Sequence, residues 1–447
     1  MRFFPFAAAI AAASLLAPTA AHANGRFPIA DQLVVDPKDP AHIVLRTTYG
    51  ILETSNGGSS WSWICEGAVG YGGTQDPAIG VLADGTILAG VFEGLSVSHD
   101  RGCAWGFVEA PLKDEYVIDV SVHRDDPSRG VAITSTGKGT DGFHVIVAET
   151  ADNGATWTQA GKPILSDFIA LTVDVTPSNP QRLYASGIVG KSFAPAIERS
   201  DDRGVTWTRT YLDAAYASFV PFLAAIDPQN PDRVYLRLSG DPVDKLLVSD
   251  DAGATFTEAF TAADDLLGFA LSPDGTRIAI GGPKDGIQIA NTADLAFEKV
   301  SDLYTRCLTW TTAGMYACGN QFVDGFTVGF SKDEGKTFEN IYNLPDICPL
   351  ECGEGATTPA MCVMSWPGIA ATLGIEPTAC GGIGPGSGSG SGSGGGPPRD
   401  LEAAGGCDCG LGSASGASGA TVLAGLSALV LRLRRRRDRR APAAKTR

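Results

Sequence analysis

Positive charge is the scarcest property of this sequence. Its 447 residues carry 34 Lys and Arg against 50 Asp and Glu, a net charge of −16. A surface that acidic disfavours nucleic acid and anionic lipid as partners and admits cations, amines and basic protein surfaces. Helical period is missing too: no long stretch spaces its apolar residues for one face of a helix. The five histidines, His22, His42, His99, His123 and His144, have no ligand spacing, so no metal is expected. Neither G-x-S-x-G, nor H-E-x-x-H, nor a phosphate-binding glycine loop occurs. That sets aside elbow-serine, helix-borne zinc and nucleotide chemistry, and no cofactor is expected.

What is present is a repeat. Ser200 to Trp207 reads SDDRGVTW, Thr150 to Trp157 TADNGATW, Ser249 to Phe256 SDDAGATF and Ser331 to Phe338 SKDEGKTF. Ser98 to Trp105 (SHDRGCAW) and Thr54 to Trp61 (TSNGGSSW) carry the same pattern. A hydroxyl and a short carboxylate or amide can bond the backbone of their own turn. Gly then allows the positive φ of a tight reversal. The closing aromatic opens the next strand and buries a large area. The third position falls at Asn56, Asp100, Asp152, Asp202, Asp251 and Asp333. The last interval, 82 residues, is nearly double the others, and a decayed copy, Ala290 to Phe297 with Thr292 at its third position, lies midway. Seven strand-rich units of this period predict an all-β, seven-bladed propeller of four-stranded blades.

The turn resembles the Asp-box (BNR) repeat, S-x-D-x-G-x-T-W, of sialidases, sortilin-type receptors and photosystem II assembly factors. The resemblance implies that each box is a turn between the third and fourth strands of a blade, opposite the usual ligand face. Its residues (Asn56, Asp100, Asp152, Asp202, Asp251 and Asp333 with Trp61, Trp105, Trp157, Trp207, Phe256 and Phe338) are then structural. The ligand face is made by the connectors between blades. Several of these pair acids with aromatics and supply the candidate ligand residues: Tyr71 and Asp76; Asp114 and Tyr116; Asp167; Tyr216; Asp302, Tyr304 and Arg306.

The ends carry addresses. Residues 1–23 have a charged start, an apolar run and Ala21-His22-Ala23, the pattern of a cleaved export signal. The propeller is expected over 24–346, a Cys-rich extension over 347–383 and a Gly/Ser/Pro linker over 384–404. In 405–447, Cys407 and Cys409 precede a weakly apolar stretch and an arginine block. This order resembles the myxobacterial C-terminal sorting signal (MYXO-CTERM), which implies membrane contact through the tail before processing near the cysteines, then display at the cell surface or outer membrane. Losing Arg2 and the net eight positive charges after Cys409 would take the charge from −16 to −25.

Cysteine use fits an oxidising compartment. Cys307 and Cys318 flank a short turn and are expected to pair, Cys65 is expected to pair with Cys103, and Cys348, Cys352, Cys362 and Cys380 to form two bridges of unread connectivity. A sialidase resemblance would require three arginines on a carboxylate, a Tyr–Glu nucleophile pair and an F-R-I-P stretch. Gly25-Arg26-Phe27-Pro28-Ile29 scrambles that stretch, and Glu115 and Tyr116 as strand neighbours point to opposite faces. Arg46, Arg237 and Arg306 are the arginines best placed on inner strands. The expected function is a monomeric, non-catalytic binding or scaffold module for an extracellular protein or glycan; the alternative is a sialidase-like glycan hydrolase.

Overall fold

The repeated turn and its flanking apolar strands build the same sheet seven times. The computed structural model describes residues 27–376 and 380, apart from 73–74 and 191–192. Blade 1 is Ala30–Val35, Ile43–Thr47, Gly50–Thr54 and Trp61–Ile64. Blade 2 is Ala78–Val81, Ile87–Val91, Gly94–Ser98 and the two-residue Gly106–Phe107; blade 3 is Val117–Val122, Gly130–Thr134, Val147–Thr150 and Thr158–Gln159. Blade 4 runs from Phe168–Val175 to Thr208–Tyr211, blade 5 from Val220–Ile226 to Thr257–Thr261, blade 6 from Gly268–Leu271 to Glu298–Ser301 and blade 7 from Cys307–Thr311 to Glu339–Tyr342. Strands pair antiparallel in sequence order within each blade. Neighbouring innermost strands touch all the way round, and blade 7 meets blade 1, so the ring closes.

Each repeated turn joins a third strand to a fourth and is fastened as its residue types dictate. In Ser200–Trp207 the Ser200 hydroxyl donates to Asp202 Oδ1 at 2.8 Å and accepts the Gly204 N–H at 2.7 Å. Asp202 Oδ1 also accepts Thr206 N–H at 2.8 Å, and Oδ2 accepts the Thr206 hydroxyl at 2.7 Å. Gly204 has φ +81°, and a Cβ there would lie 2.5 Å from Ala160 O, so side chain and conformation both exclude other residues. The same bonds recur at Asp152, Asp251 and Asp333. In the decayed copy of blade 6, Thr292 instead donates its hydroxyl to Gly275 O, and Leu295 takes the positive φ. The closing aromatics are less uniform: Trp61 and Trp157 are buried, while Trp105, Trp207, Phe256 and Phe338 are half-buried.

Innermost strands leave one edge unpaired, facing the channel. Side chains of neighbouring blades satisfy it. Gln32 both donates to Ile79 O and accepts Ile79 N–H; Asp119 Oδ2 accepts Val173 N–H; Thr172 accepts Leu223 N–H; Thr309 donates to Leu33 O. Buried backbone groups are thereby paired without lengthening the sheet.

The cysteine framework corrects the sequence reading. Cys307–Cys318 is a bridge, its residues directly opposite in the first hairpin of blade 7. Cys65 does not pair with Cys103. It bonds Cys362, Cys103 bonds Cys352, and the four-Cys group keeps a single internal bridge, Cys348–Cys380. The reason is a fifth strand: Ile347–Pro349 lies parallel to the outer strand Trp61–Ile64, with Cys348 opposite Ser62. This carries the extension over blades 1 and 2, where the helices Thr358–Cys362 and Trp366–Leu373 follow. Trp366 packs on Trp63, rings 5.6 Å apart.

The export segment, the linker, Cys407, Cys409 and the arginine tail lie outside the described residues. Among the described residues no helix is long and apolar enough to cross a membrane.

Candidate functional site

Two ends of the channel differ. At the end carrying the repeated turns, Arg124 of blade 3 reaches across to blade 6 and donates to Ser272 O at 3.1 Å and to Pro273 O. That end is bridged by a side chain. The opposite end carries the connectors, and with them the candidate ligand residues.

Their placement is uneven. Asp114 and Asp302 are exposed; Asp76, Tyr116, Tyr216 and Tyr304 are half-buried; Tyr71 is buried in the core shared by blades 1 and 2. Tyr116 stacks on Phe92, rings 5.2 Å apart. Beside it Glu115 Oε1 accepts from His144 Nδ1 at 2.9 Å and from Lys138 at 3.3 Å. Asp167 accepts Arg209 Nη1 on both oxygens at 2.9 and 3.0 Å, and the same guanidinium reaches Glu198 and lies over the Phe168 ring. Tyr216 meets Phe219 edge-on, and Asp302 is paired with Lys299. Tyr304 is a neighbour of Arg306. The connectors therefore form a rim of acid–aromatic stations, most already holding a cation of their own.

The three arginines weighed for a carboxylate grip do not converge. Arg46 donates to Pro77 O at 3.2 Å, and Arg237 donates to Leu266 O at 3.0 Å. Both sit on second strands and bond the chain just before the next blade's first strand, so they are equivalent positions serving blade contacts. Arg306 is 7% exposed and holds Asp31 Oδ1 through Nε and Nη2 at 3.0 and 2.9 Å. It locks blade 7 to blade 1.

The perturbed carboxyls that sequence reasoning missed lie in the channel wall. Asp119 is half-buried in that wall, and desolvation by the surrounding protein pushes its carboxyl up to about 7; Asp174 nearby adds to the shift and is itself raised to about 6 by desolvation. Asp174 accepts the Ser121 hydroxyl at 2.7 Å. In the repeated turns the opposite holds: the Thr337 hydroxyl and amide bonds keep Asp333 down at about 2. The repeated motif marks Asp333 in the sequence, whereas Asp119 and Asp174 carry no such mark, because their shift lies in what surrounds them. Among the described residues no group of His, Cys, Asp or Glu is placed to hold a metal ion.

No family model matches the chain, and no curated protein is similar to it. Solved structures do match. An ancestral GH74 enzyme is 14% identical with a TM-score of 0.52, over 72% of this chain and 47% of that one. The chain thus spans about half of that enzyme's length. The GH74 xyloglucanase of Xanthomonas campestris is 15% identical, TM-score 0.36, over 74% and 58%. YCF48 bound to D1 peptide is 18% identical, TM-score 0.38, over 57% and 75%. At this identity the first likeness is one of fold: this chain is a seven-bladed β-propeller of four-stranded blades.

Proposed function

We propose that this chain is an exported Asp-box propeller that binds an extracellular protein or glycan through its connector face, without catalysis. The observation that carries the reading is the Arg306–Asp31 pair. The arginine that lies in a connector, Arg306, is buried and donates twice to one oxygen of a blade 1 carboxylate. A hydrolase of sialidase type needs such a cation free for its substrate. The rim offers stacked aromatics and paired acids instead, which suit recognition of sugars or basic protein surfaces. The four disulfides support an oxidising compartment. In this reading the tail beyond residue 404 acts as the sorting and display signal suggested by its likeness to MYXO-CTERM.

The test is incubation of the purified chain with a panel of fluorogenic glycosides, sialosides included. No turnover is expected. Turnover abolished by Arg306→Ala in a variant with an unchanged melting temperature would overturn the reading in favour of hydrolysis. Replacing Arg432 to Arg440 by neutral residues is expected to misplace the protein, and unchanged surface display would remove the sorting proposal.

A further inference from the structure

In blades 1 and 4 the tryptophan closing the repeated turn donates its indole N–H to the preceding blade. Trp61 Nε1 reaches Ile341 O at 3.0 Å, and Trp207 Nε1 reaches Lys162 O at 3.2 Å. Both acceptors lie in or just beyond the preceding blade's outer strand. Blade 3 departs from this arrangement. Trp157 is 5% exposed, and its Nε1 is buried with no hydrogen-bond partner among the described residues. The outer strand of blade 2, Gly106–Phe107, is as short as that of blade 3, Thr158–Gln159, yet among the described residues the chain after it gives Trp157 no carbonyl. That stretch, Val108 to Ala110, lines a groove of about 750 Å³ whose other walls include Trp105, Phe107 and Trp157. Most buried polar side chains are paired; of the buried side-chain polar atoms without a hydrogen-bond partner among the described residues, Trp157 Nε1 is the one on a residue that lines this groove. An unpaired donor in the wall of a groove points to an acceptor from outside.

The chain itself illustrates what fills such an edge. On blade 1 the outer strand carries the parallel segment Ile347–Pro349, and Leu350 N–H donates to Trp63 O at 3.0 Å. On blade 2 the outer strand pairs with Gly94–Ser98 and, among the described residues, ends its sheet.

We propose that the groove between blades 2 and 3 takes an extended peptide segment from another protein. It would add beside Gly106–Phe107, give a main-chain carbonyl to the Trp157 indole N–H, and lay an apolar side chain on the Trp105 and Phe107 rings. Asp100 and Glu109, both exposed at the rim, disfavour an acidic segment. The groove lies at the outer edge of the propeller beside the repeated turns, so this proposal is independent of the connector-face reading.

The probe is a phage-displayed random peptide library, selected on the full chain and counter-screened on Ala155→Trp. Ala155 is exposed and lines the groove, so the substitution fills the groove while leaving residue Trp157 in place. Peptides enriched on the wild type are expected to lose binding to Ala155→Trp. A synthetic copy is expected to bind Trp157→Phe about fivefold more weakly, the worth of one neutral hydrogen bond. The proposal is overturned if no enriched peptide is sensitive to Ala155→Trp, or if Trp157→Phe folds and binds the peptide as tightly as the wild type. It is equally overturned if cellohexaose, and no peptide, gives calorimetric binding that Ala155→Trp abolishes.

Discussion

Blades 7, 1 and 2 are held together differently from blades 3 to 6. In the first arc a single hydrophobic core runs from Tyr316 and Tyr342 through Trp61 and Trp63 to Val91, and takes in Trp366 and Leu373 of the extension. Two disulfides join that arc to the extension, Cys65–Cys362 and Cys103–Cys352, across 297 and 249 residues of chain. The Tyr49 and Tyr342 hydroxyls meet at 2.6 Å across the seam. In the second arc the cores are separate, each filling one space between neighbouring blades. Arginines stitch the outside: Arg203 to Glu149, Arg182 to Asp232, Arg233 to Thr292 O and, where the two arcs meet, Arg277 to Glu334. The chain passes directly from blade to blade in the second arc. At the seam the first blade of the chain meets the last, and there a covalent clasp replaces chain continuity.

The largest effect should follow from cutting that clasp. With Cys103–Cys352 intact, Cys65–Cys362 closes a loop of about 50 residues, 65 to 103 and 352 to 362, which in the chain-entropy view is worth about 4 kcal/mol. Cys65→Ser with Cys362→Ser is therefore expected to lower the urea midpoint strongly, and a change equal to that from losing Arg277 would erase the distinction between the arcs. Next comes the core of the clasp. Trp63 is 1% exposed, packs on Trp366 and donates to Tyr49 O at 2.7 Å; Trp63→Ala should cost about 3–5 kcal/mol by equilibrium unfolding. Trp207→Ala, at a half-buried turn of the second arc, should cost clearly less.

A third prediction concerns pH. Asp119 is raised to about 7 in the folded chain, so the folded state binds its proton more tightly than the unfolded one. Its stabilising share is full below the unfolded value near 4 and is lost as pH rises through about 7. The melting temperature should rise as pH falls from about 8 to about 5, and Asp119→Asn should flatten that rise. An equally steep rise in the variant would assign the effect to Asp174 or to Glu53, which burial also raises to about 7. The smallest effect is reserved for the arginine stitches. Arg277→Met should cost under about 1 kcal/mol, as partly exposed ion pairs do; a larger loss would mean that the second arc depends on its ion pairs.

The same contrast separates what the sequence made legible from what it did not. The repeated turns could be read because every bond in them, Ser200 to Asp202 to Thr206, lies within five residues. Cys307–Cys318 was legible for the same reason, as partners in one hairpin. The long bridges were not. Cys65–Cys362 follows from a three-residue parallel strand containing Pro349, which has no periodic signature. Likewise Arg306 looked available for a ligand, and only the closure of the ring reveals Asp31 beside it. Asp119 and Asp174 carry no local mark either; desolvation in the assembled ring raises their proton affinity. At the connector face, acids and aromatics could be named from the sequence, but which of them hold Lys138 or Arg209 depends on how separate segments meet.

The most direct test of the account is amide hydrogen exchange of the purified chain before and after reduction of its disulfides, read by mass spectrometry. Reduction is expected to speed exchange in Ala30–Val35, Trp61–Ile64 and Glu339–Tyr342 at the seam, while the inner strands of blades 4 and 5, Phe168–Val175 and Val220–Ile226, stay protected. Exchange that rises evenly around the ring, or not at all at the seam, would contradict it.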